Sequence, residues 1–332
     1  MADNKILGNI IEKIKSSKKS LVLAHQNPDG DTLGSMLALG SLLKQTGHLV
    51  DHVISDPVPE VYRFLPFTEL VKTPANEGLQ NDYDLAFSLD CGSAERLGTA
   101  QKLWAGAKTT INIDHHISNE KFATINWIEA QATSTGQLIY WLAKAIEIKI
   151  TKEVATLLYT TLLTDTGCFS NSNTNAEALS WGAELISLGA EHRQVYRKVF
   201  LERPFRSVKA FGAALDNLSL MEDGKLIWTY VDKNIMKSLS ATGEDTEDIA
   251  DHMMRTKGVQ VGVFLREDDS ETKVSLRSND QNFDVSKIAV SMGGGGHKVA
   301  AGINIKSPLS VVKDLILNKV IDELRKCDVK GN

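Results

Sequence analysis

Residues 20–36, SLVLAHQNPDGDTLGSM, set a short apolar run, Leu21 to Ala24, directly against a polar cluster and then a helical pattern. Leu33, Met36, Leu37, Leu39, Leu42 and Leu43 carry the helical spacing. Strand, Gly/Pro-broken turn and helix in that order form the opening unit of an α/β sheet, which collects ligands beyond the carboxyl ends of its strands. The turn holds His25, Asp29 and Asp31, with Pro28 and Gly30 bending the chain so that one imidazole and two carboxylates can converge. These are ligand types for a divalent metal. They also have plainer readings, because Asp29 and Asp31 suit the cap of the following helix and His25 suits a surface position.

A second strand end tilts the balance. In TTINIDHHISN (109–119), Ile111 and Ile113 lead into Asp114, His115 and His116, three consecutive groups able to bind metal or move protons. A third strand, Asp84–Leu89, ends in Asp90 and is followed by CGSAERLG and a short helix through Leu103 and Trp104. Alone, Asp90 reads more readily as a turn residue than as a ligand. Ala123–Ile128 continues as a strand, and Ser134-x-x-Gln137 is a capping-box pattern opening a helix Thr135–Ala145. A helix Thr151–Leu163 delivers Asp165 ahead of a turn at Gly167, and Thr174-x-x-Glu177 repeats the capping pattern before a helix that Gly189 ends. Strands alternating with helices predict an α/β fold with a doubly wound, mostly parallel sheet.

A chain of 332 residues exceeds one ordinary core, which predicts two domains. We place the first at 1–190, a basic helical linker at 191–217, and a smaller α/β domain at 218–332, with the active-site cleft between the domains. In the C-terminal part, Asp223-Gly224 is a hairpin turn between Leu218–Met221 and Lys225–Val231. Val259–Arg266 and Thr272–Arg277 flank a second turn, and a helix from Val285 precedes MGGGGHKVAAG. The glycine run reads as a loop whose backbone can approach an anion, and Arg277 and His297 beside it favour an anion site. A net charge of −5 excludes a global basic field for duplex binding. Three scattered cysteines, Cys91, Cys168 and Cys327, argue for a reducing compartment rather than a disulfide frame. The N-terminus has amphipathic helical spacing at Ile6, Leu7, Ile10, Ile11 and Ile14, and no apolar run approaches the roughly 18 residues of a membrane span, so the expected location is the cytoplasm, with no membrane partner.

With AHQNPDGDTLGS, SLDCGSAERLG, NIDHH, LLTDTGCF, SLRSND and GGGGHKVAAG in order, the chain resembles the DHH phosphoesterase superfamily over nearly its whole length. Within it, the likeness is to bacterial nanoRNase and phosphoadenosine-phosphate phosphatase proteins with a C-terminal DHH-associated domain. The resemblance implies two Mn²⁺ ions, with Mg²⁺ or Co²⁺ as alternatives. It assigns His25, Asp29 and Asp90 to one metal, and Asp31, Asp90, His115 and Asp165 to the other, Asp90 bridging. Asp114 would orient a histidine, and His116 would face the scissile phosphate, so the catalytic set is His116, Asp114 and Asp90. Arg277, Ser278, Gly294, Gly295, Gly296 and His297 match the part that holds substrate, and Arg96 occupies the position of an arginine after the bridging aspartate.

The implied activity is hydrolysis of short single-stranded RNA or DNA oligonucleotides to mononucleotides, with removal of the 3′-phosphate of phosphoadenosine phosphate. The alternative is a phosphodiesterase for cyclic dinucleotides or their linear products. A non-catalytic nucleotide sensor would need a broken metal set, and none is broken here. A pyrophosphatase fits poorly with GGGGH, and a processive exonuclease with so short and acidic a chain. Whether the protein is a homodimer stays open.

Overall fold

The computed structural model describes residues 4–76, 78, 79, 82–280 and 282–330. The chain divides into two compact units, Met1–Glu202 and Arg203–Asn332. The division falls inside the segment that the sequence marks as a connection.

In the first unit, α1 (Asn4–Ser16) buries Ile10 and Ile14 and lies against the last strand of the sheet. There follow β1 (Lys19–Ala24), α2 (Gly30–Gln45), β2 (Leu49–Val53), β3 (Val71–Lys72), β4 (Leu85–Leu89), α3 (Gln101–Ala105), β5 (Thr109–Asp114) and β6 (Ile125–Ile128). Four helices complete the unit: α4 (Thr135–Ala145), α5 (Lys152–Asp165), α6 (Ala176–Ser187) and α7 (His192–Tyr196). All six strands are parallel, in the order β3-β2-β1-β4-β5-β6. The chain therefore winds outward from β1 in one direction and from β4 in the other, and the loops after these two strands part at the switch point where such sheets bind ligands.

Alternation decides the faces. Val22, Ala24, Phe87, Leu89, Ile111 and Ile113 point into the main core with α2, α4 and α5, while Leu21, Leu23 and Ala86 meet Leu97, Ala100 and Trp104 on the other side. Helix α2 is buried nearly all round, because it is packed between the sheet and α4 and α5.

Two helix starts depart from the capping-box expectation. Helix α4 begins at Thr135 as expected, but the Ser134 hydroxyl makes no cap bond and meets Thr161 Oγ1 at 3.2 Å. Gln137 Oε1 accepts from Thr133 N. Helix α6 is capped by Asn175, whose Oδ1 accepts from Ala178 N at 2.9 Å, rather than by Thr174. An Asx side chain one residue nearer the helix outcompetes the threonine.

The second unit runs α8 (Phe205–Asp216), β7 (Ser219–Met221), β8 (Leu226–Val231), α9 (Lys233–Leu239), α10 (Ile249–Met253), β9 (Val261–Glu267), β10 (Thr272–Ser278), α11 (Val285–Val290), β11 (Gly295–His297), β12 (Ala300–Ile305) and α12 (Leu309–Lys330). Its sheet has the order β11-β12-β10-β9-β8-β7, with β8 and β9 parallel and the other neighbours antiparallel. The β7–β8 hairpin turns at Asp223 and Gly224, both at positive φ. One face packs on α11 and α12 through Leu226, Val263, Val274, Leu276 and Ile303. On the other, Ile227, Val231 and Phe264 meet side chains of α8, α9 and α10. Strand β10 alternates strictly, burying Thr272, Val274 and Leu276 while Lys273, Ser275 and Arg277 stay half-buried on the second face.

The glycine run is not the open loop that its composition suggests. Gly295–His297 pairs with Ala300–Gly302 as an edge strand. A Cβ at Gly294 would lie 2.2 Å from Gly302 O, and one at Gly296 (φ +140°) would lie 2.5 Å from Ala301 Cα, so these glycines let two backbones close on each other. The basic run after residue 191 is largely paired: Arg197 and Lys198 with Glu202, Arg203 with Asp248, and Arg206 with Asp245. No helix among the described residues is long and apolar enough to cross a membrane.

Candidate metal centre

The ends of β1, β4 and β5, with the start of α2 and the end of α5, bring the six residues singled out in the first unit into one place. His25 follows β1 and is buried. Its Nδ1–H goes to the Gln26 carbonyl at 2.6 Å, which leaves Nε2 as an acceptor. Asp29 caps α2, accepting from Thr32 N at 2.9 Å, so the plainer reading of this residue holds alongside any other. Asp90 follows β4 at φ +54°, a left-handed conformation that is costly for a residue with a Cβ.

These three converge on Thr32 Oγ1. His25 Nε2 lies 2.7 Å from it, Asp90 Oδ2 2.7 Å and Asp29 Oδ1 2.9 Å. One hydroxyl hydrogen cannot serve three acceptors, so lone pairs remain aimed at one point. Asp90 turns its other oxygen towards a second group. His115 Nε2 stands 3.7 Å from Asp90 Oδ1, 3.7 Å from Asp31 Oδ2 and 3.4 Å from Asp165 Oδ2. Its Nδ1 faces the Ala132 carbonyl at 3.3 Å, again leaving Nε2 as the inward acceptor. His25, Asp29 and Asp90 thus form one cluster of ligating atoms and Asp31, His115 and Asp165 another, with Asp90 next to both.

Charge in the hollow is unbalanced. Burial pushes the Asp31 carboxyl well above its usual range, and Asp90, Asp165 and Asp29 push it further. Asp165 is raised to about 6, chiefly by burial, with His115 opposing and Asp90 adding. For Asp90, burial also pushes up but is outweighed by His25, His116 and His115, so its carboxyl sits below the usual value. Among the described residues, only imidazoles form ion pairs with these carboxylates. A buried set of oxygen and imidazole donors short of positive charge fits a divalent cation.

Asp31 is held by donors absent from the sequence reading. Its oxygens accept from Thr135 N at 2.8 Å, Gly136 N at 3.1 Å and Ser35 Oγ at 3.0 Å, so the first turn of α4 and its dipole grip the carboxylate. Gly136 makes the approach of α4 possible, because a Cβ there would lie 1.9 Å from Thr161 Oγ1.

Asp114 is fully buried and saturated. Oδ1 accepts from His115 N, His116 N and His116 Nδ1, the last at 2.7 Å, and Oδ2 from Asn119 Nδ2 at 2.6 Å. Its hydrogen bond, against the cost of burial, lifts His116 to about 9. His116 is partly exposed at the edge of the hollow, its ring 4.8 Å from that of His115. Thr32, Ser35, Thr135, Gly136 and Asn119 are the contributors that sequence reasoning missed. Thr32 and Ser35, in D-G-D-T-L-G-S, and Asn119, in D-H-H-x-x-N, lay near enough in sequence to be suspected.

The remaining sequence-derived residues are Arg96 in the first unit and Arg277, Ser278, Gly294, Gly295, Gly296 and His297 in the second. Arg96 is exposed, and its carbonyl accepts from Gln26 N, tying down the loop after His25. In the second unit, Arg277 and His297 both sit opposite Ala300 on its two neighbouring strands, which puts them in one row. His297 is exposed, while Ser278 is buried and its hydroxyl closes a turn onto Asp280.

Residues 19–162 match the model of the DHH family, N-terminal domain, and residues 223–326 match the DHHA1 domain. The bifunctional oligoribonuclease and PAP phosphatase NrnA of Thermus thermophilus is 30% identical, over 96% of this chain and 94% of its own length. The protein of that name from Bacillus subtilis is 27% identical over 85% of this chain and 88% of its length. An exopolyphosphatase-related protein from Bacteroides fragilis, solved by crystallography, superposes with a TM-score of 0.90 at 23% identity, covering 100% of this chain and 99% of that one, which extends the likeness in fold to both units.

Proposed function

Because the chain belongs to the DHH family, we propose that it hydrolyses very short oligonucleotides to mononucleotides and removes the 3′-phosphate of phosphoadenosine phosphate, using two Mn²⁺ ions. It is a phosphoesterase of a divalent-metal-dependent family. The substrates come from the names of its relatives. One cation would be held by His25, Asp29 and Asp90, the other by Asp31, Asp90, His115 and Asp165. The observation that carries this is the pair of converging donor sets, three acceptors around Thr32 Oγ1 and three carboxylates around His115 Nε2, sharing Asp90.

When bound, such cations polarise the phosphoryl oxygens and acidify the attacking water. The chain's own side chains do the rest. Asp114 holds His116 through Nδ1, leaving Nε2 free at the edge of the hollow to meet the phosphate or hand a proton to the departing oxygen. Thr135, Gly136 and Ser35 fix Asp31, so that its oxygens need not reorganise. In the second unit, Arg277 and His297 would hold the remainder of the nucleotide, with Ser278 and Gly294–Gly296 shaping the backbone beside them. We place the protein in the cytoplasm, where its three free cysteines would stay reduced.

One panel tests this. Protein stripped with chelator and resupplied with Mn²⁺ is given a dinucleotide, a pentanucleotide, phosphoadenosine phosphate and a cyclic dinucleotide. Hydrolysis of the dinucleotide and phosphoadenosine phosphate is expected, abolished by chelation and restored better by Mn²⁺ than by Ca²⁺, which prefers more oxygen ligands at longer range. Turnover of the cyclic dinucleotide alone would replace the substrate assignment. Full activity in excess chelator would remove the metal.

A further inference from the structure

Arg277 lines a cavity of about 380 Å³ in the second unit, together with Lys273, Ser275, Phe264, Glu247 and Asp251. Asp251, on α10, takes one whole edge of the guanidinium, with Nε to Oδ1 at 2.6 Å and Nη2 to Oδ2 at 3.2 Å. Nη1 donates to the carbonyl of Leu276, at 3.2 Å. A guanidinium has five N–H donors in a rigid plane, so among the described residues three are engaged and two remain, one on each terminal nitrogen. The Nη2 hydrogen beside Nε belongs to Asp251. With Asp251 on the Nε–Nη2 edge, the other bidentate edge of the guanidinium is its end-on fork, one N–H each from Nη1 and Nη2 with the spacing of two phosphate oxygens.

We infer that Asp251 is a positioning residue that holds Arg277 in the one orientation whose end-on fork receives a substrate phosphate in this cavity. The inference rests on the proposed reading of Arg277 as a substrate contact. A carboxylate used in this way also offsets the cation's charge, so the clamp selects for an oxyanion able to accept two hydrogen bonds at once rather than for negative charge in general. The side chains of Arg277 and Asp251 are 25% and 60% exposed, so the pair is reachable from solvent rather than sealed in a core.

Kinetics of dinucleotide hydrolysis by Asp251→Ala, Asp251→Glu, Arg277→Ala and the double variant Asp251→Ala/Arg277→Ala test it, with thermal unfolding as the control for folding. Asp251→Ala is expected to raise KM about 3- to 10-fold, the weight of immobilising one long side chain anew, with a much smaller change in kcat. Asp251→Glu should recover part of the loss. Arg277→Ala should cost more, and the double variant no more than Arg277→Ala alone, because Asp251 acts only through the arginine. A lower KM in Asp251→Ala would show the carboxylate competing with substrate and overturn the inference, as would an unchanged KM or additive losses in the double variant. Loss in Arg277→Ala with a silent Asp251→Ala sinks the positioning role alone. A silent Arg277→Ala sinks the substrate reading and the positioning role with it.

Discussion

His52→Leu is expected to change how stability depends on pH more than stability at neutrality. His52 lies on β2 with 2% of its surface exposed, and neither ring nitrogen meets a hydrogen-bond partner among the described residues. The ring packs against the backbone of α2 so closely that a Cβ at Gly40 would lie 1.8 Å from Nε2. Burial disfavours the imidazolium, Lys44 adds to the effect and Asp51 opposes it, and the folded group titrates at about 4 instead of 6.5. Between those values the unfolded chain binds a proton that the folded chain refuses. Stability is therefore lost as pH falls through this window and is untouched above it. Each pH unit inside the window is worth about 1.4 kcal/mol, so lowering the pH from 7 to 5 costs about 2 kcal/mol through this one ring. Leucine has similar bulk and does not titrate. Urea unfolding of both proteins in excess chelator, at pH 7 and pH 5, should show the variant losing about 2 kcal/mol less than the parent. Equal losses would mean that the folded ring accepts its proton without penalty, and the burial argument would fail.

Asp90→Asn should abolish most turnover and release or misplace the bound metal, whereas Asp114→Asn, which loosens only the histidine it orients, should cost nearer the ~10–100-fold of an outer-shell partner. Elemental analysis alongside kinetics decides this, and two ions with normal turnover in Asp90→Asn would remove its shared role. Gly136→Ala should destabilise by about 1–3 kcal/mol through the clash with Thr161 and weaken Mn²⁺ binding by moving α4 off Asp31. Urea unfolding and calorimetric titration with Mn²⁺ measure the two effects, and a variant unchanged in both would mean that α4 tolerates the methyl.

The strand ends were legible because each is a short apolar run stopped by a ligating side chain, a pattern local in sequence. His25, Asp29, Asp31, Asp90 and His115 surfaced in that way, Asp165 at the end of a helix was singled out only by the family resemblance, and the alternation of strands and helices predicted the parallel sheet around them. What supports them was not legible. Thr135 N and Gly136 N reach Asp31 from 104 and 105 residues away, and a backbone N–H leaves no mark in composition. The Ser134-x-x-Gln137 pattern located the helix and its N-cap residue but not the bonding there, since a buried carboxylate from another element takes the Thr135 and Gly136 N–H groups. The glycine run was misread for the opposite reason: its composition signals freedom, and the neighbouring strand uses the same missing side chains for contact. Asp251 gave no signal, because α10 is only five residues long and its partner Arg277 lies 26 residues on.

The left-handed backbone at Asp90 narrows what can ever stand there. Side chains that reach that conformation at modest cost are glycine, asparagine and aspartate, and only the last brings two charged oxygens. Glutamate, the obvious conservative exchange elsewhere, would have to strain the loop to offer the same charge, and a β-branched residue would strain it further. Drift at this position therefore runs through a narrow gate. A descendant that kept the sheet but lost its carboxylate here would most easily carry asparagine or glycine, and the shape of its loop would still record where the carboxylate had been.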